Sequence, residues 1–99
     1  MKLHVAPQAQ RDADRIDEWW RENRRAAREL FTKELLQALD RIQHMPGVGV
    51  VYETDEVDLP VRRVLLKKTK HHVYYMVEGD TVVVLAVWSA VRGRGPRLR

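Results

Sequence analysis

Met45-Pro46-Gly47-Val48-Gly49 is where the chain changes its hydrophobic period. Proline cannot continue a helix and the two glycines are free to turn, so helical spacing must stop here. Just before it, Phe31, Leu35, Ala38, Ile42 and Met45 step by four, three, four and three, with Leu30 and Leu39 widening the stripe. That spacing predicts an amphipathic helix from about Arg25 to His44. Further upstream, Ala9, Ala13, Ile16 and Trp20 repeat the pattern and predict a helix over about 7–23, with Pro7 at its start where a missing N–H costs nothing. Only Asn23 and Arg24 separate the two, which predicts a tight antiparallel hairpin with both apolar faces turned the same way.

Downstream of the loop the residues favour strands. Val61–Leu66 is rich in β-branched residues and follows Pro60, His72–Val77 contains Val73, Tyr74, Tyr75 and Val77, and Thr81–Trp88 is almost wholly apolar. Glu78-Gly79-Asp80 is short enough to join the last two strands as an antiparallel hairpin. The last strand lacks polar alternation and is expected between two neighbours. Lys2–Val5 can return to the same sheet, and Val50–Tyr52 can also be extended. The economical architecture is α+β: a two-helix antiparallel hairpin on one face of a small, mainly antiparallel sheet, in the order β-α-α-β-β-β.

The 99 residues are enough for one domain over 1–99, because two independent cores would each fall below the size that folds unaided. A hydrophobic share of 44% against 32% charged residues is too apolar for a disordered tail and too interrupted for a spanning helix. Zero cysteines exclude disulfide scaffolds, thiolate metal sites and cysteine nucleophiles, and suit a reducing compartment. No signal-peptide pattern follows Met1, so a cytoplasmic protein without a membrane partner is expected. The net charge of +4 is unevenly placed: residues 1–50 carry nine Lys/Arg against eight Asp/Glu, and residues 51–99 carry nine against six.

The excess lies in two clusters, Arg62, Arg63, Lys67, Lys68 and Lys70, and Arg92, Arg94, Arg97 and Arg99. In an antiparallel sheet the strand opening at His72 and the strand closing at Trp88 would place Lys70, His71 and His72 beside Arg92 and Arg94. One cationic patch, on the sheet surface that the helices leave uncovered, would suit phosphates or an acidic protein. Trp20 and Trp88 read as structural, whereas Trp19 lies off the apolar stripe and is expected to be partly exposed under a partner. His71 and His72 face opposite sides of a strand and cannot chelate one metal together, so no metal site is expected. Glu53, Asp55, Glu56 and Asp58 read as a solvated loop.

The chain resembles toxins of the RelE/ParE superfamily, the small partners in bacterial type II toxin–antitoxin pairs. The resemblance is carried by Phe31-Thr32-Lys33-Glu34-Leu35 through Ile42, the Met45–Gly49 turn, Val61-Arg62-Arg63-Val64-Leu65-Leu66, Val73-Tyr74-Tyr75, and Val84–Trp88 leading into Arg92-Gly93-Arg94-Gly95-Pro96. It implies a strand, two helices and an antiparallel remainder, no cofactor, and a cognate antitoxin of ParD-like or RelB-like type in a hetero-oligomer. The antitoxin would cross the helices and sheet, meeting Trp19, Arg62, Arg63, Arg92 and Arg94.

Two activities occur in that superfamily. RelE-like members cut messenger RNA on the ribosome, and ParE-like members are associated with poisoning DNA gyrase. Cleavage by a ribose 2′-hydroxyl needs a base, an acid and a cation for the developing charge. Arg63, Lys70, His71, Tyr75 and Arg92 are the candidates for that chemistry, with His72 and Tyr74 as other bases. After Trp88, however, the chain has no His, Tyr, Asp or Glu, and arginine is a poor base. This favours the ParE-like branch, in which Arg62, Arg63, Lys67, Lys68, Lys70, Arg92 and Arg94 would bind the target or an anion. A ribonuclease, which would make the chain an enzyme, and a non-toxic nucleic-acid-binding domain are the alternatives.

Overall fold

The computed structural model describes residues 1–98. In chain order it forms β1 (Lys2–Val5), α1 (Pro7–Asn23), a short 3-10 turn (Arg25–Ala27), α2 (Leu30–His44), β2 (Val50–Tyr52), β3 (Val61–Leu66), β4 (His71–Glu78) and β5 (Thr81–Ser89). The five strands make one sheet in the order β1-β5-β4-β3-β2. β1 runs parallel to β5, and every other pairing is antiparallel. The α+β architecture read from the sequence is the one observed, with β2 as a fifth, short edge strand.

The first helix starts at Pro7 as expected, and its C-terminal carbonyls are taken by the backbone N–H of Arg24 and by Asn23 Nδ2. The second begins at Leu30, with its apolar stripe and five residues after the expected start at Arg25. Arg24, Arg25 and Arg28 would put positive charge at a helix N-terminus, against the macrodipole, and no Ser, Thr, Asp or Asn is there to cap it. The link is therefore longer than a tight hairpin requires. Thr32 Oγ1 ties the helices together by donating to Asp17 Oδ1 at 2.7 Å.

Strand alternation sends side chains to two cores. Phe31, Ile42, Leu66, Val73, Tyr75, Val82, Val84 and Val87 form the core beneath the helices. Val61, Tyr74, Val83, Leu85, Ala86 and Leu98 form another on the opposite face, with Tyr52, Met76 and Trp88 packed against it. Tyr74 lies opposite Ala86 but Tyr75 lies opposite Val84, so Leu85 is an extra residue and β5 carries a bulge there. The bulge lets Leu85 and Ala86 both join the helix-free core.

The helix-free face is not left bare, which corrects the expectation of an uncovered surface. β4 and β5 are apolar on both sides, so both sides need a cover. The C-terminal tail supplies it: Pro96 and Leu98 are buried, Leu98 N–H donates to Glu56 Oε2 at 3.0 Å, and Trp88 Nε1 donates to the Arg94 carbonyl at 2.8 Å. Gly95 passes so close to Tyr52 that a Cβ there would collide with the phenol oxygen. Glu56 thus holds the tail rather than only facing water.

One buried acid completes the helix side. β1 is short, and its pairing with β5 stops at Val84, so the next part of β5 has no strand on that side. Asp12 of α1, only 5% exposed, fills in by accepting the Val87 N–H at 3.1 Å. Among the described residues no helix is long and apolar enough to cross a membrane.

Candidate functional site: a cationic end of the sheet

β4 opens where β5 closes, so His71 pairs with Ser89 and His72 with Trp88. The Ala90 N–H donates to the Lys70 carbonyl at 2.8 Å, which brings the Lys67–Lys70 turn against the start of the tail. Lys70 adopts φ 63°, a left-handed conformation that side chains rarely take. Glu34 of α2 holds the turn by accepting from the N–H groups of Lys68 and Thr69 and from Thr69 Oγ1. Burial raises the pKa of Glu34, but these hydrogen bonds and the Lys68 charge outweigh it, and the net shift is downward.

Two clefts meet at this end. A smaller one of about 250 Å³ lies on the helix-free face, with Arg63, His72, Arg92 and Arg94 around Tyr52 and Tyr74. A larger one of about 700 Å³ lies toward α1, with Lys68, Lys70, His71 and Arg92 facing Arg15, Trp19 and Arg24. Ser89 and Arg92 line both, so the two adjoin there. No Asp or Glu lines either cleft.

Aromatic rings seat the arginines. The Arg63 guanidinium lies 5.2 Å from the Tyr52 ring centroid and 6.0 Å from that of Tyr74, whose hydroxyl it approaches at 3.4 Å. Arg92 lies 4.7 Å over Trp88, and Arg24 lies 5.3 Å over the exposed ring of Trp19. Such stacking orients a guanidinium while leaving its in-plane donors available.

The residues singled out from the sequence therefore divide. Arg63, Lys68, Lys70, Arg92 and Arg94 gather at the two clefts, and Trp19 lines the larger one. Arg62 does not join them: it points to the helix side, where it donates to the Gly49 carbonyl at 2.7 Å. Lys67 sits beside Glu34 and Arg41 in a separate hollow below the turn. Arg97 is exposed on the tail, and Arg99 lies outside the described residues. In place of the single patch expected from the clusters there are two adjoining clefts, one toward α1 and one on the helix-free face, without Arg62 and Lys67. Strand alternation separates Arg62 from Arg63, because neighbouring residues face opposite sides.

The candidate bases divide too. His71 packs edge-on against Phe31 on the helix side, and burial lowers its pKa. Tyr75 is fully buried there: its hydroxyl donates to the Pro46 carbonyl at 2.7 Å and accepts from the Gly49 N–H at 2.9 Å. Burial, the leading cause, raises its pKa. His72 and Tyr74 share the helix-free cleft with Arg63, and burial together with that arginine's charge lowers the pKa of His72.

Sequence reasoning missed Arg15, Arg24 and Tyr52. The four-residue spacing of Arg15 and Trp19 places both on one helix face, a signal that was present. Tyr52 had none, since its role depends on the crossing of the tail.

A helical hairpin on one face of a mostly antiparallel sheet, with clustered arginines at one sheet end, defines a small basic α+β protein of the RelE/ParE superfamily type. The chain belongs to the family described as ParE toxin of type II toxin-antitoxin system, parDE, whose pattern matches residues 3–93. No curated protein matches it. Membership makes the chain the toxin component of a type II pair, with an antitoxin as its partner.

Proposed function

We propose that this toxin arrests growth by inhibiting DNA gyrase and acts through the cationic clefts. The observation that carries the reading is the division of the polar groups between the two sheet faces. Arg63, Arg92 and Arg94 face the helix-free cleft, while Tyr75 is buried on the helix side and His71 lines the other cleft, apart from Arg63 and Arg94. Binding needs only the cations, and cleavage also needs a base and an acid. The family match to ParE toxins points the same way.

Neutralisation is proposed to be steric and electrostatic. An open groove of about 400 Å³ runs between α1 and α2, lined by Val5, Ala13, Leu35, Leu36 and Leu39. An amphipathic segment of the antitoxin would lay its apolar residues there and direct acidic residues to the arginines at the sheet end. The reading extends to a hetero-oligomer in the cytoplasm and to one domain over the whole chain.

His72 supports a second reading. A histidine with a lowered pKa is neutral near pH 7, and this one lies among Arg63, Arg92 and Arg94, as a ribonuclease base would. Expression of the chain with and without its antitoxin separates the two. Gyrase inhibition predicts blocked supercoiling with intact transcripts, and a ribonuclease predicts cut transcripts that His72→Ala abolishes. Arg92→Ala with Arg94→Ala should lower toxicity while leaving the fold intact, since both side chains are exposed. Undiminished growth arrest in that variant would remove the clefts from the mechanism.

A further inference from the structure

We infer that the adjoining clefts bind the sugar–phosphate backbone of duplex DNA, so that the toxin touches the nucleic acid held by its target as well as the target protein. This rests on the gyrase reading and adds a ligand to it.

Three observations carry the inference. First, the side-chain ion pairs among the described residues use Lys2, Arg15, Arg21, Lys33 and His44, and none involves Arg63, Lys68, Lys70, Arg92 or Arg94. Glu34 offsets part of the Lys68 charge, and the other four have no carboxylate among the described residues lining their clefts. Second, the clefts adjoin at Arg92, so the cations are spread to either side of it, Arg63 and Arg94 in one cleft and Lys68 and Lys70 in the other, and are not gathered in a pocket for one small anion.

Third, the aromatic rings at the helix-free cleft are occupied. Recognition of unpaired bases needs open ring faces for stacking. Here Arg63 lies over Tyr52, Tyr74 meets the same ring edge-on at 4.9 Å, and Arg92 covers Trp88, whose Nε1 is spent on the Arg94 carbonyl. What remains free is the in-plane edge of each guanidinium, which matches phosphate oxygens. Phosphate contacts without base contacts fix position and carry no sequence information, as a protein acting on any stretch of duplex requires.

The test is fluorescence anisotropy of the full chain with a labelled duplex, and with single-stranded DNA and RNA of equal length, between 50 and 200 mM salt. Each neutralised phosphate contributes a slope of about −0.9 in log affinity against log salt, so a slope of about −3 or steeper is expected for the duplex. Arg92→Ala with Arg94→Ala should flatten it by about 2 and weaken binding by roughly tenfold or more. The Arg92→Lys, Arg94→Lys variant keeps the slope, and Lys2→Ala, at the opposite end of β5, leaves binding unchanged. No duplex binding at 50 mM salt, tighter binding to single-stranded RNA, or an unaltered slope in the double alanine variant would overturn the inference. A supercoiling assay on the same samples keeps the two ideas apart. Inhibition without duplex affinity removes only the DNA contact, and duplex affinity without inhibition removes only the gyrase reading.

Discussion

The two faces of the sheet carry equally apolar strands under very different covers. On one, two helices bury Phe31 and Ile42 and are tied to each other and to the sheet by Thr32, Asp12 and Glu34. On the other, a single tail is held by a few bonds, from Trp88 to Arg94, from Leu98 to Glu56 and from Gln8 to the Arg97 carbonyl. Of the cations at the candidate site, Arg63, Arg92 and Arg94 stand on the thinner side. Stability and recognition are thereby given to separate surfaces, and the recognition surface is the one able to open locally.

The largest effect expected of that contrast is on the helix side. Ile42→Ala should cost about 2 to 5 kcal/mol, because the surrounding side chains cannot close the cavity, and denaturant unfolding would measure it. Asp12→Ala should cost about 1 to 3 kcal/mol by orphaning the Val87 N–H, with Asp12→Asn losing less because its carbonyl still accepts. Leu98→Ala should cost only about 1 to 2 kcal/mol, since the tail can lift away and leave no void, with hydrogen exchange rising in the tail alone. An equal loss for Leu98 and Ile42 would break the contrast.

Acid sharpens it further. His71 and His72 have pKa values lowered from an ordinary 6.5, mainly by burial. Their contribution to stability is complete above about pH 6.5 and is lost as pH falls through the lowered values, because the unfolded chain takes up protons first. Glu34 and Asp17 are lowered despite burial, by hydrogen bonds and by cations, so a second loss follows as pH falls below about 4. Stability followed from pH 7.5 to 3 should decline in these two stages, and His71→Leu should reduce the first. The smallest change is a gain: Lys70→Gly should add about 0.5 to 1 kcal/mol by removing the left-handed strain while weakening anion binding. A loss of stability there would mean that the lysine side chain packs more than it strains.

Most of the fold was legible because periodicity reports burial. The 3.6-residue stripe placed α1 and the body of α2, and the run of Val, Tyr and Leu placed β3 to β5. The start of α2 coincides with the first residue of its stripe, Leu30, and the expected extension back to Arg25 fails because arginines at 24, 25 and 28 oppose the helix dipole. Asp12 and Glu34 looked like ordinary polar helix positions, since their partners are backbone N–H groups brought near only by the fold. For the site, the gathering of Lys70, Arg92 and Arg94 followed from strand pairing alone. The separation of Arg62 from Arg63 was equally available from alternation. The seating of Arg63 on Tyr52 depends on the tail passing over the sheet, which Gly and Arg composition does not announce.

The parallel pairing of Lys2–Val5 with Thr81–Val84 joins two segments that lie far apart along the chain, with both helices and three strands between them. Until the ribosome has made β5, β1 has no neighbour, and the core under the helices lacks Val82, Val84 and Val87. Closing so long a loop is slow relative to local hairpin formation. A chain still lacking β5 therefore has neither its closed core nor the strand end at which the two clefts lie.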